Sequence, residues 1–272
     1  MTKQKKFFWN SVVALILIVI GGVIFFRIHQ QSDTWAKTTA NKQLVVGVDD
    51  TFVPMGFRDK NGKLVGFDVD LARKTIQSLG FKVKFQPIDW SMKETELKTG
   101  HIDMIWNGYT ITPDRQKKVA FSNSYHSDKQ VLVTMRTNQI VTPQDMVGKT
   151  LGLQTGSSGM LTYDAQPKVL KNFVKSAVQY DTFDKALTDL QVGRIQAVLI
   201  DSDFARYYVA HEADPDQFAI LDLSYPAEQF AVGFRKKDMT LRRKVNAQLK
   251  KFAQDGTLDN ISKKYFGTVN QK

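Results

Sequence analysis

The stretch Asn107-Gly-Tyr-Thr-Ile-Thr-Pro-Asp-Arg115 follows an apolar run, residues 102–106, that predicts a buried strand. Thr112 predicts the N-cap of a helix, because its hydroxyl can accept from a free backbone N–H group at the helix start. Pro113 suits the first helical position, and the aspartate after it suits the positive end of the helix dipole. Arg115 therefore falls in the first turn of a helix that follows a strand, where α/β folds place ligands. A guanidinium beside free backbone N–H groups predicts a seat for a small carboxylate.

Strands and helices alternate on both sides of this stretch. Residues 44–48 predict a strand, and residues 67–79 predict an amphipathic helix that Gly80 ends. Further along, residues 130–135 predict a strand that leaves the first unit, and residues 229–234 predict one that returns to it. The alternation predicts a mixed α/β fold with parallel sheets.

A short internal repeat supports two related units. Thr95-x-Leu97-x-x-Gly100-x-Ile102 matches Thr188-x-Leu190-x-x-Gly193-x-Ile195 at a constant offset. The same offset places Asp201 opposite Gly108, so each unit has a helix, a glycine, a strand and a polar group at the strand's end. Two similar lobes with strand ends facing one cleft would explain this pattern, and a common helix-to-strand turn or chance is the alternative.

Composition narrows the classes of function. The 272-residue chain is 42% hydrophobic, as a globular protein with a real core requires, and it contains no cysteine. Disulfides, thiolate catalysis and cysteine metal sites are therefore excluded. The net charge of +11 is spread over short, separated basic clusters with acids between them, so no nucleic-acid groove is predicted.

The amino-terminal part, residues 1–40, predicts a targeting segment followed by a linker. Lys3, Lys5 and Lys6 precede an apolar run over residues 7–26, which approaches the ~20 residues that a membrane-spanning helix needs. Lysines before the run keep that end cytoplasmic. We expect an uncleaved anchor, with a cleaved signal peptide as the alternative. In both cases the globular part works on the extracytoplasmic side of the cell membrane.

Several motifs together resemble those of a known family, the extracytoplasmic solute-binding proteins of family 3, which deliver polar amino acids to ABC transporters. The resemblance covers residues 44–267. The motifs that carry it include Asp49-Asp-Thr-Phe-Val-Pro54, Gly66-Phe-Asp-Val-Asp-Leu71, Gly108-Tyr-Thr-Ile-Thr-Pro-Asp-Arg115, Gln154-Thr-Gly-Ser157 and Ala197-Val-Leu-Ile-Asp201.

The resemblance implies a periplasmic-binding-protein-like fold of type II, with two α/β lobes joined by two crossover strands. The first lobe would comprise residues 41–131 and 231–272, and the second residues 132–230. The implied function is capture of a free polar or cationic amino acid and its delivery, by lobe closure, to a separate ABC permease and its ATPase. The implied protein uses no cofactor or metal and is not an enzyme.

The resemblance also implies how the charged ends of the amino acid are bound. Arg115 would hold the α-carboxylate, with backbone N–H groups near Thr110 and Ser158. Asp201 would take the α-ammonium, with the Gly108 carbonyl and the Thr110 hydroxyl. A ligand that bridges a cation on one lobe and an anion on the other would favour the closed form.

The side chain of the amino acid would lie in a separate part of the site. By resemblance, Phe52 and Trp90 would sandwich it and Asp49 would line its polar end. An acidic ligand side chain would meet Asp49, which leaves polar and cationic amino acids. Asn107 and Gln154 depart from residues that are frequent in the family, so they bear on the choice among those amino acids.

Two other functions stay open at this point: an amino-acid-sensing module, and a dehydratase-like enzyme on the same fold. No nucleophile-elbow motif with a serine triad and no phosphate loop with its lysine is present in the sequence. His101, His126 and His211 lack metal-ligand spacing and are predicted to lie on the surface. Asp68 and Asp70 are predicted as helix-start residues.

Overall fold

The computed structural model describes residues 16–21 and 33–267, and residues 16–21 are helical. In chain order, helices α1–α9 are Trp35–Asn41, Phe67–Ser78, Lys93–Thr99, Pro113–Lys118, Ser158–Ala165, Phe183–Gln191, Ser202–His211, Met239–Gln254 and Thr257–Phe266. Strands β1–β15 are Gln43–Val48, Thr51–Phe52, Gly56–Arg58, Leu64–Val65, Lys82–Pro87, Met104–Ile105, Ala120–Phe121, His126–Asp128, Gln130–Met135, Thr150–Gln154, Ser176–Tyr180, Ala197–Asp201, Phe218–Asp222, Glu228–Phe230 and Gly233–Phe234. The fold is mixed α/β, as the alternation of elements predicts.

The first five-stranded sheet has the order β5-β1-β6-β15-β7. Strands β5, β1 and β6 run parallel, and β15 pairs antiparallel with β6 and β7. Helix α2 packs on this sheet through Val69, Ala72 and Ile76, which recur at the predicted helical spacing and are fully buried. The core on this side is therefore a helix layer against a mixed sheet, and the prediction of a parallel sheet holds only for β5, β1 and β6.

The second five-stranded sheet has the order β11-β10-β12-β9-β13. Strands β11, β10 and β12 are parallel, and β9 pairs antiparallel with both β12 and β13. Strand β12 is buried along its whole length, as expected for a strand covered on both faces.

The internal repeat falls at equivalent positions of the two sheets. Gly100 ends α3 and Gly193 follows α6, both with positive φ (87° and 76°), which glycine adopts without steric strain. The strands that come next, β6 and β12, each lie third from the β5 or β11 edge of their sheet. The predicted similarity of two units is confirmed at the level of sheet topology.

Two short strands connect the sheets. The chain leaves the first sheet through β8 and returns through β14, and these strands pair antiparallel, with Phe230 opposite His126. The prediction of a single strand over residues 229–234 is therefore wrong. The segment is two strands, because the chain changes partners: Phe230 pairs with β8, whereas Gly233 pairs with Ile105 and Phe121 of the first sheet.

The carboxyl ends of the central strands of both sheets meet at one place. Asp49 follows β1, Asn107 and Gly108 follow β6, Gln154 ends β10, and Asp201 ends β12. Residues from all four segments line a common cavity.

Candidate functional site

A cavity lies between the two sheets, at the carboxyl ends of their central strands. Its lining residues are Asp49, Phe52, Trp90, Asn107, Gly108, Arg115, Gln154, Ser157, Ser158 and Asp201. Seven of the eight residues predicted as a ligand site from the sequence are among them, and Thr110 is the exception.

Arg115 is the cation of the cavity. Thr112 caps α4 by accepting from the Arg115 N–H group (3.2 Å), and Pro113 opens the helix, as predicted. The side chain is only 2% exposed. Its Nη1 donates to the Thr110 carbonyl (3.0 Å) and its Nη2 donates to the Gly156 carbonyl (3.1 Å). Two backbone carbonyls, one from each side of the cavity, thus orient the guanidinium.

Asp201 is the carboxylate of the cavity. It occupies the N-cap position of α7, but its side chain makes no capping hydrogen bond, so the carboxylate does not cap that helix. Gln130 Nε2 donates to Oδ1 at 3.1 Å. Burial and the neighbouring carboxylates of Glu228 and Asp128 hold the pKa of Asp201 well above its usual range, with Arg115 as the opposing influence.

Within residues 33–267, Asp201 is therefore a buried carboxylate without an ion-pair partner. Asp201 is 3% exposed and faces two like charges, so a cationic ligand group beside it would relieve both the repulsion and the loss of hydration. An ammonium group has this chemistry.

Thr110 lies beside the cavity instead of lining it. Its hydroxyl donates to Glu228 Oε2 at 2.7 Å, and its carbonyl accepts from Arg115. The residue therefore positions two charged groups of the site. A hydroxyl that donates to a carboxylate keeps its lone pairs as acceptors, so the contact of Thr110 with the α-ammonium stays a prediction.

Phe52 and Trp90 form apolar walls of the cavity. Phe52 also packs against Phe183 and Phe204, at ring distances of 5.9 and 5.4 Å, which belong to helices beside the second sheet. Trp90 meets Tyr109 edge-on at 6.0 Å. Each ring is thus fixed by aromatic neighbours while one face borders the cavity.

Asp49 and Gln154 meet across the cavity. Gln154 Nε2 donates to Asp49 Oδ2 at 2.8 Å, and Thr51 donates to Oδ1 from its backbone and hydroxyl. Burial raises the pKa of Asp49. Asp184, in the first turn of α6, is a second acid nearby: burial and the charge of Asp49 raise its pKa to about 6. This end of the cavity therefore carries negative potential.

Position 108 has room only for a glycine. Its φ is +56°, and a Cβ atom would lie 2.7 Å from the Phe52 ring. The Gly108 N–H group donates to Asp68 Oδ2 at 2.6 Å, and the same oxygen accepts from the Tyr125 hydroxyl at 2.9 Å. Burial raises the pKa of Asp68 to about 6. Asp68 does lie in the first turn of α2, as predicted, but it is fully buried and anchors the glycine of the site.

Asn107 is the buried polar residue of the cavity whose side chain is uncommitted. Neither its Nδ2 nor its Oδ1 has a hydrogen-bond partner within residues 33–267. Buried amide groups in native proteins normally have partners, so these two atoms lack the hydrogen bonds that a ligand or a water molecule would supply. On the opposite wall, Ser158 accepts from Gln130 Nε2 (3.3 Å), and Ser157 caps α5.

The histidines take different positions from those predicted. His101 and His211 are exposed, as expected, but His126 is largely buried, and the prediction of a surface position is wrong for it. His126 lies on β8, packs on Phe266, and pairs with Asp203 at 2.6 Å. Within the described ranges no group of three potential metal-ligating side chains is present.

Comparison with known proteins identifies the chain's family. Residues 44–268 match the bacterial extracellular solute-binding proteins, family 3. The chain belongs to this family. It is 27% identical over 252 residues to the arginine-binding extracellular protein ArtP of Bacillus subtilis, covering 93% of this chain and 97% of that protein.

Solved structures agree with this assignment and with the type II periplasmic-binding-protein fold. One is an ABC uptake transporter substrate-binding protein from Streptococcus pneumoniae with bound histidine (48% identity, TM-score 0.84, covering 86% of this chain and 96% of that chain). Another is an ancestral amino acid-binding protein, a precursor of cyclohexadienyl dehydratase (31% identity, TM-score 0.77, covering 86% and 100%). The homologues are thus mostly binding proteins, with one relative of an enzyme on the same fold.

The predicted membrane-spanning run, residues 7–26, lies outside the described residues except for residues 16–21. In the described ranges, 16–21 and 33–267, no helix combines the length and the apolar character that crossing a membrane requires. The homologues are extracellular or periplasmic proteins.

Proposed function

We propose that this chain is the amino-acid receptor of an ABC importer and that Arg115 and Asp201 bind the two charged ends of a free α-amino acid. The observation that carries the proposal is a buried cation and a buried carboxylate from opposite sheets, lining one small cavity. The α-carboxylate would accept from the guanidinium N–H groups that remain free beside the two bonds to backbone carbonyls. The α-ammonium would neutralise Asp201, which has two like charges beside it.

The side chain of the ligand would be polar or cationic. It would extend between Phe52 and Trp90 toward Asp49, where Asp184 adds a second negative charge. Gln154 and the unpartnered amide of Asn107 would supply hydrogen bonds. This chemistry suits an imidazole, guanidinium, amine or carboxamide, and relatives solved with histidine or arginine are in accord with it.

Binding would be coupled to closure of two lobes. We assign residues 41–131 and 231–272 to the first lobe and residues 132–230 to the second, with β8 and β14 as the connection between the sheets. Because the ligand contacts Arg115 from one lobe and Asp201 from the other, it would stabilise the closed form. The closed form would then dock on a separate permease, whose ATPase drives uptake, and the receptor itself would carry out no chemistry.

The function is tested by titrating the full-length protein with each common amino acid in a thermal-shift assay. A ligand at 100 times its Kd adds about 2.7 kcal/mol of stability. Arg115→Met should abolish the shift, whereas Arg58→Met, which removes an exposed guanidinium paired with Asp50, should preserve it. The absence of any shift with the wild-type protein would refute the proposal, and conversion of the bound amino acid to a product would favour an enzyme.

We further propose that the amino-terminal run holds the protein at the extracytoplasmic face of the cell membrane. Its lysines followed by about 20 apolar residues support this location. Cell fractionation followed by an alkaline wash should leave the protein in the membrane pellet with its amino terminus intact. A soluble protein that starts after the apolar run would instead identify a cleaved signal peptide.

A further inference from the structure

Lys93 is a buried lysine next to the cavity that does not line it. It opens α3 and is 2% exposed. Its Nζ donates to the Trp90 carbonyl at 2.8 Å and to the Gly156 carbonyl at 2.9 Å. Among the described residues, the carboxylate within ion-pair distance is that of Glu94, at 3.7 Å. Burial and the charge of Arg115 lower the pKa of Lys93 to about 7.

A buried ammonium is unfavourable unless its hydrogen bonds are satisfied. One acceptor, the Trp90 carbonyl, belongs to the same turn and is present in every state of the lobe. The other, Gly156, lies between β10 and α5 of the second sheet. The bond to Gly156 therefore exists only while the two sides of the cavity are in contact.

Gly156 lies close to a short segment of the other lobe. Its φ is +73°, and a Cβ atom there would lie 3.2 Å from Lys93 Nζ, 3.3 Å from Ser91 Cα and 3.7 Å from the Trp90 carbonyl oxygen. All three atoms belong to residues 90–93. The Gly156 carbonyl also accepts from Arg115, so Lys93 and Arg115 converge on one oxygen.

We propose that Lys93 and Gly156 form a latch that holds the closed form and slows the release of the amino acid. This inference rests on the proposed function, because a latch matters only to a protein that closes over its ligand. Lys93 is a positioning residue here: it does not contact the ligand, and it holds the Gly156 carbonyl over the guanidinium of Arg115. The carbonyl fixes the guanidinium together with the Thr110 carbonyl on the other side.

The latch predicts a specific kinetic signature. Since the bond forms after the lobes close, Lys93→Met should raise the dissociation rate of the ligand about tenfold and leave its association rate within about twofold. Tenfold corresponds to about 1.4 kcal/mol, at the lower end for a hydrogen bond to a charged group. Lys98→Met, which changes an exposed lysine on the same helix, should alter neither rate.

A second readout needs no ligand. The chain has no cysteine, so Lys118→Cys and Lys168→Cys, both exposed and on opposite lobes, introduce a unique pair of labelling sites. The distance distribution between two labels reports the ratio of closed to open protein. Lys93→Met should lower this ratio about tenfold, and Lys98→Met should leave it unchanged.

Gly156→Ala tests the other half of the latch. The added Cβ would crowd residues 90–93 only when the lobes are closed, so this variant should also lower the closed fraction and speed release. An alanine at position 156 would also be strained by the positive φ, and the melting temperature of the ligand-free variant measures this strain separately. In the double variant with Lys93→Met the two effects should be less than additive, because the single changes disrupt the same contact.

The outcomes separate the latch from the binding function. We would measure rates with L-histidine and L-arginine as probes. Unchanged dissociation and an unchanged distance distribution in Lys93→Met would overturn the latch while leaving the binding function intact. If no amino acid binds the wild-type protein, the proposed function fails, and the distance distribution alone decides whether Lys93 holds the lobes together.

Discussion

Asp201 is the residue at which stability and binding should oppose each other. Its carboxylate is buried beside Glu228 and Asp128, so its charged form destabilises the free protein at neutral pH. Asp201→Asn should raise the melting temperature of the free protein, by about 2–4 °C for each kcal/mol gained. The same change should weaken amino-acid binding about 30-fold or more, because it leaves a buried ammonium without its partner.

Calorimetry on the free and ligand-titrated proteins measures both effects. Asp222→Asn is the matched control, since Asp222 is an exposed carboxylate on β13 and should change neither quantity much. Retained affinity in Asp201→Asn would contradict the assignment of the α-ammonium site.

Asp68 should make stability depend on pH in a defined window. Its folded-state pKa of about 6 lies above the unfolded value near 3.9, so the folded protein holds the proton more tightly. The free energy of unfolding therefore contains a contribution that is present below pH 4 and is lost as the pH rises to about 6. For a shift of about two pH units this contribution approaches ~3 kcal/mol.

Asp68→Asn should remove this contribution. Urea unfolding of the wild-type and Asp68→Asn proteins at pH 4.5, 5.5 and 7 gives the difference in their free energies of unfolding at each pH. The difference should shrink as the pH rises, because the wild-type protein loses its advantage from protonated Asp68. A difference that is constant across the three pH values would contradict the pKa of about 6.

At the scale of single residues, the sequence identified the charged groups of the site but not the residues that hold them in place. Arg115, Asp201 and Asp49 stand out because they come at or after the carboxyl ends of strands, where open α/β sheets bind ligands. Asp68 was assigned to a helix start, although it shares the spacing of Ala72 and Ile76, the buried face of α2. The helical period therefore predicts that Asp68 points toward the core, but it does not predict the hydrogen bond that Asp68 accepts from the Gly108 N–H group.

At the scale of elements, Thr112 should couple helix stability to ligand binding. Its hydroxyl caps α4, the helix whose first turn carries Arg115. Thr112→Ala should cost about 1 kcal/mol of stability. It should also weaken binding several-fold, because the helix turn that carries the Arg115 guanidinium is then less firmly fixed. Chemical denaturation and calorimetric titration measure the two effects.

Thr142→Ala is the control for this change. Thr142 forms a capping box with Asp145 at a short helix that lies away from the cavity. It should lose a similar amount of stability while the affinity stays unchanged. Equal losses of affinity in both variants would mean that general destabilisation, and not the placement of Arg115, weakens binding.

The elements that the sequence predicted are those with a strong hydrophobic pattern. Strand β9 and helix α2 match their predicted bounds to within one residue, because their apolar residues recur at the period of the element. Strand β11 was missed since it lies at a sheet edge and four of its five residues are exposed. The three-stranded sheet β2-β3-β4 was missed because its strands have only two or three residues.

At the scale of the whole molecule, a ligand should make the protein more compact. Arg115 and Asp201 belong to opposite sheets, so an amino acid bound to both draws the two sides together. The radius of gyration from small-angle X-ray scattering should fall when a binding amino acid is added to the wild-type protein. It should not fall for Asp201→Asn, which retains only one of the two charged contacts.

An unchanged radius of gyration in the wild-type protein, under conditions where calorimetry shows binding, would contradict the coupling of binding to lobe closure. The latch at Lys93 provides an independent check, because it changes the closed fraction without changing a ligand contact.

The sequence by itself determined the alternation of strands and helices, a repeat found at equivalent positions of two similar sheets, and the positions of the charged groups that we propose bind the ligand's ends. These follow from local periodicity and from residue chemistry at strand ends, which neighbours in sequence are sufficient to specify.

Only the tertiary structure decided how residues distant in the chain share the cavity. Asp49 accepts a hydrogen bond from Gln154, which lies 105 positions further along the chain. The Thr110 hydroxyl donates to Glu228, which lies 118 positions further along. Lys93 joins Gly156 in the same way. Such contacts depend on how two sheets are set against each other through β8 and β14, and no local pattern in the sequence records that arrangement.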